Sequence, residues 1–445
     1  MVILPQQAKQ IITTLQKAGF DAYAVGGSVR DVLMNRTTTG WDFTTNATPQ
    51  EILKLFPDSF YDNQFGTVGV KMPEDIYEIT TYRTEQGYAD HRHPDKITWG
   101  KTLEEDLSRR DFTINAIAFD GKTIIDPYDG QKDIVAKTIR TVGNPVERFA
   151  EDSLRMMRAI RIASELGFMI EPETLLAIKK NASTIQQISV ERIHDELIRV
   201  LASQFAADGI LLLKNAGLLK EIIPELEPAF TTQQKSPERH HVYDVGTHSV
   251  LAMKHAPTSD PIVRLATLLH DIGKIQTFKV LKGVITFYNH EVVSTKITKN
   301  ILARLKFSRK DTEKILTLIR WHQFTVDERQ TDSALRRFIR HVGKENLQDM
   351  LALRIGDRLG GGARETSWRL ELFKKRLEEV QRQPFSVTDL KINGHDVMKE
   401  LNVKPGPIIG KTLDALFAEV EAGTLANERE ALLQRLATLP PIPQN

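Results

Sequence analysis

The stretch VGGSVRDVLMNRTTTGWDFTT, residues 25–45, decides the fold. Two glycines, Gly26 and Gly27, close the apolar run FDAYAV and open the helical run VRDVLM. Backbone without side chains lets a phosphate approach the amides at a helix N-terminus, whose dipole favours anions. Arg30 adds a charge-assisted contact for such a phosphate, and Asp31 follows it. A Gly-Gly turn before a helix is also ordinary turn chemistry, so the pair needs support from its surroundings. WDFTT then reads as a short strand. Alternation sets Trp41 and Phe43 on one face and Gly40, Asp42 and Thr44 on the other.

Further out, Ala8, Ile11, Ile12 and Leu15 recur at helical spacing, which predicts a helix from about Pro5 to Ala18. Thr48, Pro49 and Glu51 form a capping box that starts another helix. TVGVKM and IYEITTYR are strands rich in β-branched and aromatic residues. The second carries Glu78 between Ile76 and Thr80 on one face. An acid in mid-strand is costly unless it is solvated, paired or holding a metal. Asp42 and Glu78 on neighbouring strands can share Mg²⁺, which activates a hydroxyl and neutralises a triphosphate. The competing reading puts both acids on the solvent face of a half-exposed sheet.

Residues 1–140 therefore read as an α+β head with a small mixed sheet, and from about Pro145 the pattern turns helical. Polar breaks at SPERHH, residues 236–241, and RQPFS, residues 382–386, divide the rest. The expected units are a helical neck over 141–205, a helical body over 206–380 and a helical tail over 381–445. A chain of 445 residues exceeds one compact core. Its net charge of +2 means that any nucleic-acid surface must be local. With no cysteine, a metal must sit on His and carboxylate ligands. No apolar run is long enough for a bilayer, and MVILPQQAKQ lacks the pattern of a secretory signal. The expectation is a cytoplasmic protein with no membrane partner, a monomer being the favoured state.

Six motifs then occur in order: VGGSVRD, WDFTTNATPQE, YEITTYRTEQGYADHRHPD, RRDFTINAIA, DPYDGQKD and EDSLRMMRAIR. Together they resemble the class II tRNA nucleotidyltransferases and bacterial poly(A) polymerases, a branch of the polymerase-β-like nucleotidyltransferases. The resemblance is dense from about residue 20 to 205 and looser beyond. It implies a head that adds nucleotides to an RNA 3′ end with Mg²⁺, using CTP and ATP to build the CCA of tRNA. Gly26, Gly27, Arg30 and Asp31 match the phosphate-side motif. Asp42 matches the second acid of an Asp-x-Asp metal motif, and Glu78 matches the third acid. The first acid falls on position 40, which is glycine here. Losing one of two metal-bridging carboxylates should cost orders of magnitude in rate. GYADHRHPD, residues 87–95, matches a flexible loop that accompanies addition of the terminal A, which disfavours an enzyme limited to CC.

RRDFTINA supplies Arg109, Arg110, Asp111 and Asn115, for which the resemblance suggests phosphate neutralisation and ribose recognition. In EDSLRMMRAIR, Asp152, Arg155, Arg158 and Arg161 recur every three residues. Such pairs are usually surface ion pairs. Asp accepts hydrogen bonds and Arg donates them, while cytosine and adenine both offer an amino donor beside a ring-nitrogen acceptor. The resemblance implies that Asp152 and Arg155 form a protein template for C and A, rejecting G and U, with Arg158 and Arg161 holding phosphate. Glu191 and Arg192 in SVERIHDELIRVL read as scaffolding.

A second constellation runs through the body: His248, His270–Asp271, His290, His322 and Asp357. Adjacent His–Asp with further His and Asp on later helices can converge on a divalent metal. The set resembles the HD phosphohydrolases, which cleave phosphoesters with a metal-bound water, and it adds phosphohydrolysis as a further activity. The tail sequence KPGPIIGK reads as packing and contact with the tRNA elbow, while Arg369, Lys374, Lys375 and Arg376 read either as an ordinary solvated helix face or as contacts to the tRNA backbone, the partner arms being the acceptor and T arms. An A-adding enzyme or poly(A) polymerase of the same fold stays an alternative because those activities share most motifs, and Gly40 leaves two more open: a phosphohydrolase with an impaired head and a tRNA-binding protein.

Overall fold

The computed structural model describes residues 4–38, 40–61, 66–73, 75–86, 96–234, 243–324, 331–362, 367–381 and 387–439. The GYADHRHPD loop and the SPERHH and RQPFS breaks lie outside these residues.

The first helix, Gln6–Lys17, buries Ala8, Ile11, Ile12 and Leu15 as their spacing predicts. The strands of the head are β1 (Ala22–Val25), β2 (Asp42–Thr45), β3 (Ser59–Tyr61), β4 (Thr67–Lys71), β5 (Ile76–Thr81), β6 (Arg83–Gln86), β7 (Lys96–Trp99), β8 (Ala118–Phe119) and β9 (Ile124–Ile125). Seven of them form one sheet in the order β3-β4-β5-β2-β1-β8-β9, and β6 pairs with β7 apart from it. β2 runs parallel to β5 with Asp42 opposite Glu78. β1 runs antiparallel to β2 with Val25 opposite Asp42, so the Gly26–Gly27 turn leaves the sheet at Asp42. Phe43, Val68, Val70, Tyr77 and Ile79 pack with Ile11, Ile12, Leu15 and Ile52 into one apolar core. The period of two then turns Asp42, Thr44, Glu78 and Thr80 to the opposite face.

Thr48 caps helix Pro49–Leu55 with the capping box to Glu51 in place. Asn144 caps helix Pro145–Glu151, and helix Leu154–Leu166 follows it. A continuous buried core runs from Phe112 to Val380, so the helices after the head share one interior across residue 205. A separate cluster joins Leu390, Val397, Leu416 and Leu432 near the C-terminus. The helical texture has two breaks that periodicity missed. Thr138–Ile139 pairs with Met169–Ile170, and Lys279–Leu281 forms a hairpin with Val284–Thr286. Both are too short to give an alternation signal. Among the described residues no helix is long and apolar enough to cross a membrane.

Candidate functional site

A cavity of about 350 Å³ opens on the polar face of the sheet. Its floor is Asp42, Thr67, Glu78 and Thr80, and its walls carry Arg83, Arg109, Arg110, Asp111, Asp152, Arg155, Arg158 and Arg192. Six arginines thus face four carboxylates, a balance that suits a polyanion. Asp42 and Glu78 are both exposed toward this space. Burial by the cleft walls raises the Asp42 carboxyl above its usual range, and Arg110 partly offsets this. Two oxygen-donor side chains at one register position suit a hard divalent cation, so the residues fit Mg²⁺.

Gly26 has φ of +80°, a conformation that favours glycine, and a Cβ there would sit 3.3 Å from Arg110 Nη1 and 3.4 Å from Asp42 Oδ2. Gly40 is different. It is exposed, its φ lies outside the left-handed region, and a Cβ there would meet nothing within 4 Å. Neither space nor backbone conformation requires glycine at position 40.

The arginines are held from below. Asp106 is fully buried and accepts from Arg109 Nη2 at 2.6 Å, Arg110 Nη2 at 3.3 Å and Thr44 Oγ1 at 3.1 Å. Burial raises its carboxyl, yet Arg109 and Arg110 prevail and hold it below the usual range. Sequence reasoning passed over Asp106, although its offsets of three and four to Arg109 and Arg110 are the spacing of helical ion pairs. Arg30 is buried. It donates to Asn115 Oδ1 at 2.7 Å and to Asp31 Oδ1 at 2.8 Å, so it braces the helix behind the Gly turn and does not line the cavity. Asn115 in turn donates to Asp111 Oδ1 at 3.1 Å. Asp111 also accepts two bonds from Arg158, at 2.6 and 2.9 Å. Burial raises Asp111, but Arg158 and Asn115 hold it far below the usual carboxylate range.

The neck residues are partnered differently from their spacing. Asp152 pairs with Arg192 Nη2 at 2.8 Å, and Arg155 bonds Glu151 and the carbonyl of Arg109. Asp152 and Arg155 still share the cavity wall. Arg192, read as scaffolding, lines the cavity as well, because Asp152 draws it there across 40 residues. Glu191 instead meets Lys306 on the surface. Arg161 is a correction. It is buried against Glu196 at 2.7 Å and Glu165 at 3.0 Å, away from the cavity. A step of three residues falls about 60° short of a turn, so two steps from Arg155 carry Arg161 roughly 120° around the helix.

In the body, all six predicted ligands converge. His248, His270, Asp271 and Asp357 form one group, and Asp271, His290 and His322 form another. His248 Nε2 lies 3.1 Å from Asp357 Oδ1, and His290 Nε2 lies 3.1 Å from Asp271 Oδ1. Burial lowers His270, but Asp271 and Asp357 push it up to about 10. Burial and then His270 push His322 down to about 3. Lys374 and Arg376, read as a solvated face or as RNA contacts, pair with Glu371 and Asp332.

Comparison with known proteins agrees with this geometry. Residues 22–140 match the "Poly A polymerase head domain" family model, residues 167–230 match "Probable RNA and SrmB- binding site of polymerase A", and residues 284–436 match a tRNA nucleotidyltransferase domain 2 model. The CCA-adding enzyme of Ligilactobacillus salivarius is 32% identical over 441 residues, 98% of each chain. That of Geobacillus kaustophilus is 47% identical over 215 residues, 48% of this chain and 53% of the other. The crystal structure of the Bacillus stearothermophilus CCA-adding enzyme in complex with CTP aligns with a TM-score of 0.70 at 31% identity, covering 98% of this chain and 97% of that one. The Thermotoga maritima CCA-adding enzyme complexed with tRNA shares the fold, with a TM-score of 0.63 at 18% identity. A polymerase-like head with two acids beneath an arginine-walled cleft defines a nucleotidyltransferase. The chain belongs to the class II CCA-adding enzymes, the tRNA nucleotidyltransferases.

Proposed function

We propose that the protein builds and repairs the 3′-terminal CCA of tRNA from CTP and ATP, without a nucleic-acid template, in the cytoplasm. The observation that supports this most is the register of Asp42 with Glu78 in a cleft that also presents Asp152 and Arg155. Relatives named CCA-adding enzymes, one solved with CTP and one with tRNA, support it further. Asp42 and Glu78 would hold Mg²⁺, which when bound favours the ionised primer hydroxyl and neutralises triphosphate charge. The remaining work is positioning. Arg110, fixed by Asp106, lies beside Asp42 where the triphosphate would enter. Arg158, fixed by Asp111, adds a further charge to the cavity wall. The reaction joins the RNA 3′ oxygen to the α-phosphorus and releases pyrophosphate.

Base choice falls to Asp152 and Arg155. Each gives up or shares its present partner, Arg192 or Glu151, when a C or A edge arrives. In this reading residues 1–140 carry out transfer, 141–205 choose the base, and the body and tail, 206–380 and 381–445, grip the A-form acceptor and T arms by shape and backbone. Three tRNAs test it: one lacking CCA, one lacking only the final A and one complete. The first two should be extended to CCA and the third left unchanged. Extension of the second alone, or a growing A tail on the third, would favour the A-adding or poly(A) alternative.

For the body, the converging His and Asp side chains support a divalent-metal site with phosphohydrolase activity. Release of phosphate from a phosphomonoester, lost with Asp271→Asn while CCA addition persists, is the expected result.

A further inference from the structure

The sheet register that sets Asp42 beside Glu78 continues past both acids. Glu78 stands opposite Gly69, and Gly69 opposite Phe60. In the other direction Asp42 stands opposite Val25, and Val25 opposite Ala118. Directly paired residues point to the same face, so these six residues form one row across the cleft side of the sheet. Its two ends differ. Val25 and Ala118 are buried with Tyr82, Leu103 and Leu107, which closes the row beyond Asp42. At the far end Phe60 is 39% exposed and stands outside the buried clusters of the head.

Gly69 explains where the Phe60 ring lies. A Cβ on Gly69 would sit 2.5 Å from Phe60 Cζ and 2.8 Å from Cε1, so the ring lies across the bare backbone of its neighbour, on the side of Glu78. Neighbouring strands are about 4.8 Å apart, which sets the ring roughly one strand from Glu78. Lys71, two residues from Gly69 on the same face, holds Nζ 5.6 Å from the centre of that ring. This ledge adjoins the cavity at Thr67 and Glu78. An aromatic face with a cation beside it is the pairing that takes a nucleobase and its backbone phosphate.

The direction of the reaction selects the base. Phosphoryl transfer sets the attacking and leaving oxygens roughly in line at phosphorus. Arg110 and the Gly26 turn lie beside Asp42 on the β1 side, which directs the triphosphate and its departing pyrophosphate toward β1. The RNA 3′ oxygen then approaches from the side of β4 and β3. One ribose separates that oxygen from its own base, a reach comparable to one strand spacing, so the base falls over Gly69 and against Phe60. The incoming nucleotide's base is a different one and goes to Asp152 and Arg155.

We propose that Phe60, laid over Gly69, is the stacking platform for the terminal base of the tRNA 3′ strand, with Lys71 holding the phosphate behind it. This rests on the reading of Asp42 and Glu78 as the catalytic floor and adds the residue that receives the primer end. Stacking tolerates every base, which suits a strand whose last base changes with each addition.

The test uses the full chain and a tRNA lacking CCA whose last base is 2-aminopurine, a fluorophore that stacking quenches. In saturated complexes the parent and Phe60→Trp should quench it, and Phe60→Ala should leave it about twofold brighter. Gly69→Ala, which pushes the ring off its seat, should brighten it too. In CTP incorporation, Phe60→Ala should lower kcat/KM for tRNA by roughly 5- to 100-fold, the range of one base–aromatic stack, with KM for CTP unchanged and Phe60→Trp restoring the rate. Equal quenching by the parent and Phe60→Ala overturns the platform, whatever the turnover. A defect in Phe60→Ala carried by KM for CTP, with the tRNA parameters unchanged, overturns it as well. Quenching that depends on Phe60 in a parent that incorporates no CTP upholds the platform and overturns the transfer reading instead, so the two fail separately.

Discussion

Replacing Gly40 by Asp should raise the rate of nucleotide addition. Position 40 lies two residues before Asp42, and a Cβ there meets nothing within 4 Å. In extended chain, two residues span about 6.6 Å and return the side chain to the same face. The new carboxylate therefore reaches toward the space in front of Asp42 and Glu78, whose strands are in register. Because φ at this position is not left-handed, the substitution should change folding stability by no more than about 0.5 kcal/mol. A further oxygen ligand on the catalytic metal should lower the barrier by roughly 2.7–4 kcal/mol, on the order of a 10²–10³-fold gain at about 1.4 kcal/mol per decade. The assay is single-turnover incorporation of labelled CTP into tRNA lacking CCA, with urea unfolding run alongside. No gain in a G40D chain that folds normally, together with fast addition by the parent, would refute the reasoning: Asp42 and Glu78 would then suffice.

Three other outcomes follow from the geometry. Arg161→Met strands the buried Glu196 and should lower the urea-measured stability of the helical core by about 3 kcal/mol without slowing transfer per folded molecule. Asp152→Ala removes the acceptor from the cleft wall and should reduce the kcat/KM preference for CTP and ATP over UTP and GTP by roughly 10- to 100-fold, with a lowered Tm because Arg192 loses its partner. In the metal-stripped chain, His270 is held protonated with a value of about 10. A folded value above the ordinary value of about 6.5 stabilises the fold at lower pH, and that stabilisation is lost as pH rises toward 10. The Tm of chelator-treated protein should fall between pH 7 and pH 10, whereas the metal-loaded protein, whose imidazoles are already neutral ligands, should show a flatter profile.

The head was legible because its signals are local. Trp41 and Phe43 alternate with Asp42, Thr48 and Glu51 form a capping box, and two glycines mark the turn. The six candidate ligands of the body were legible as residue types, and the fold brought every one of them together. Partner choice was not legible. Asp152 turns to Arg192, forty residues away, because a neighbouring helix delivers that guanidinium to the same wall. Arg161 shares the three-residue rhythm of Arg155 and Arg158, but that rhythm drifts around the helix and ends in the core. Arg30 carries the charge a phosphate wants, yet Asn115 and Asp31 already claim it. Such pairings depend on packing between distant segments, which spacing along one segment does not encode.

The most direct test of the account compares the parent chain with Asp42→Asn on tRNA lacking CCA, in CTP, ATP and Mg²⁺, with products resolved to single nucleotides. The parent should add C, C and A in that order and stop, and the variant should lose at least a hundredfold in rate while still binding tRNA. Equal extension by both chains would contradict the assignment of the cleft floor as the catalytic metal site.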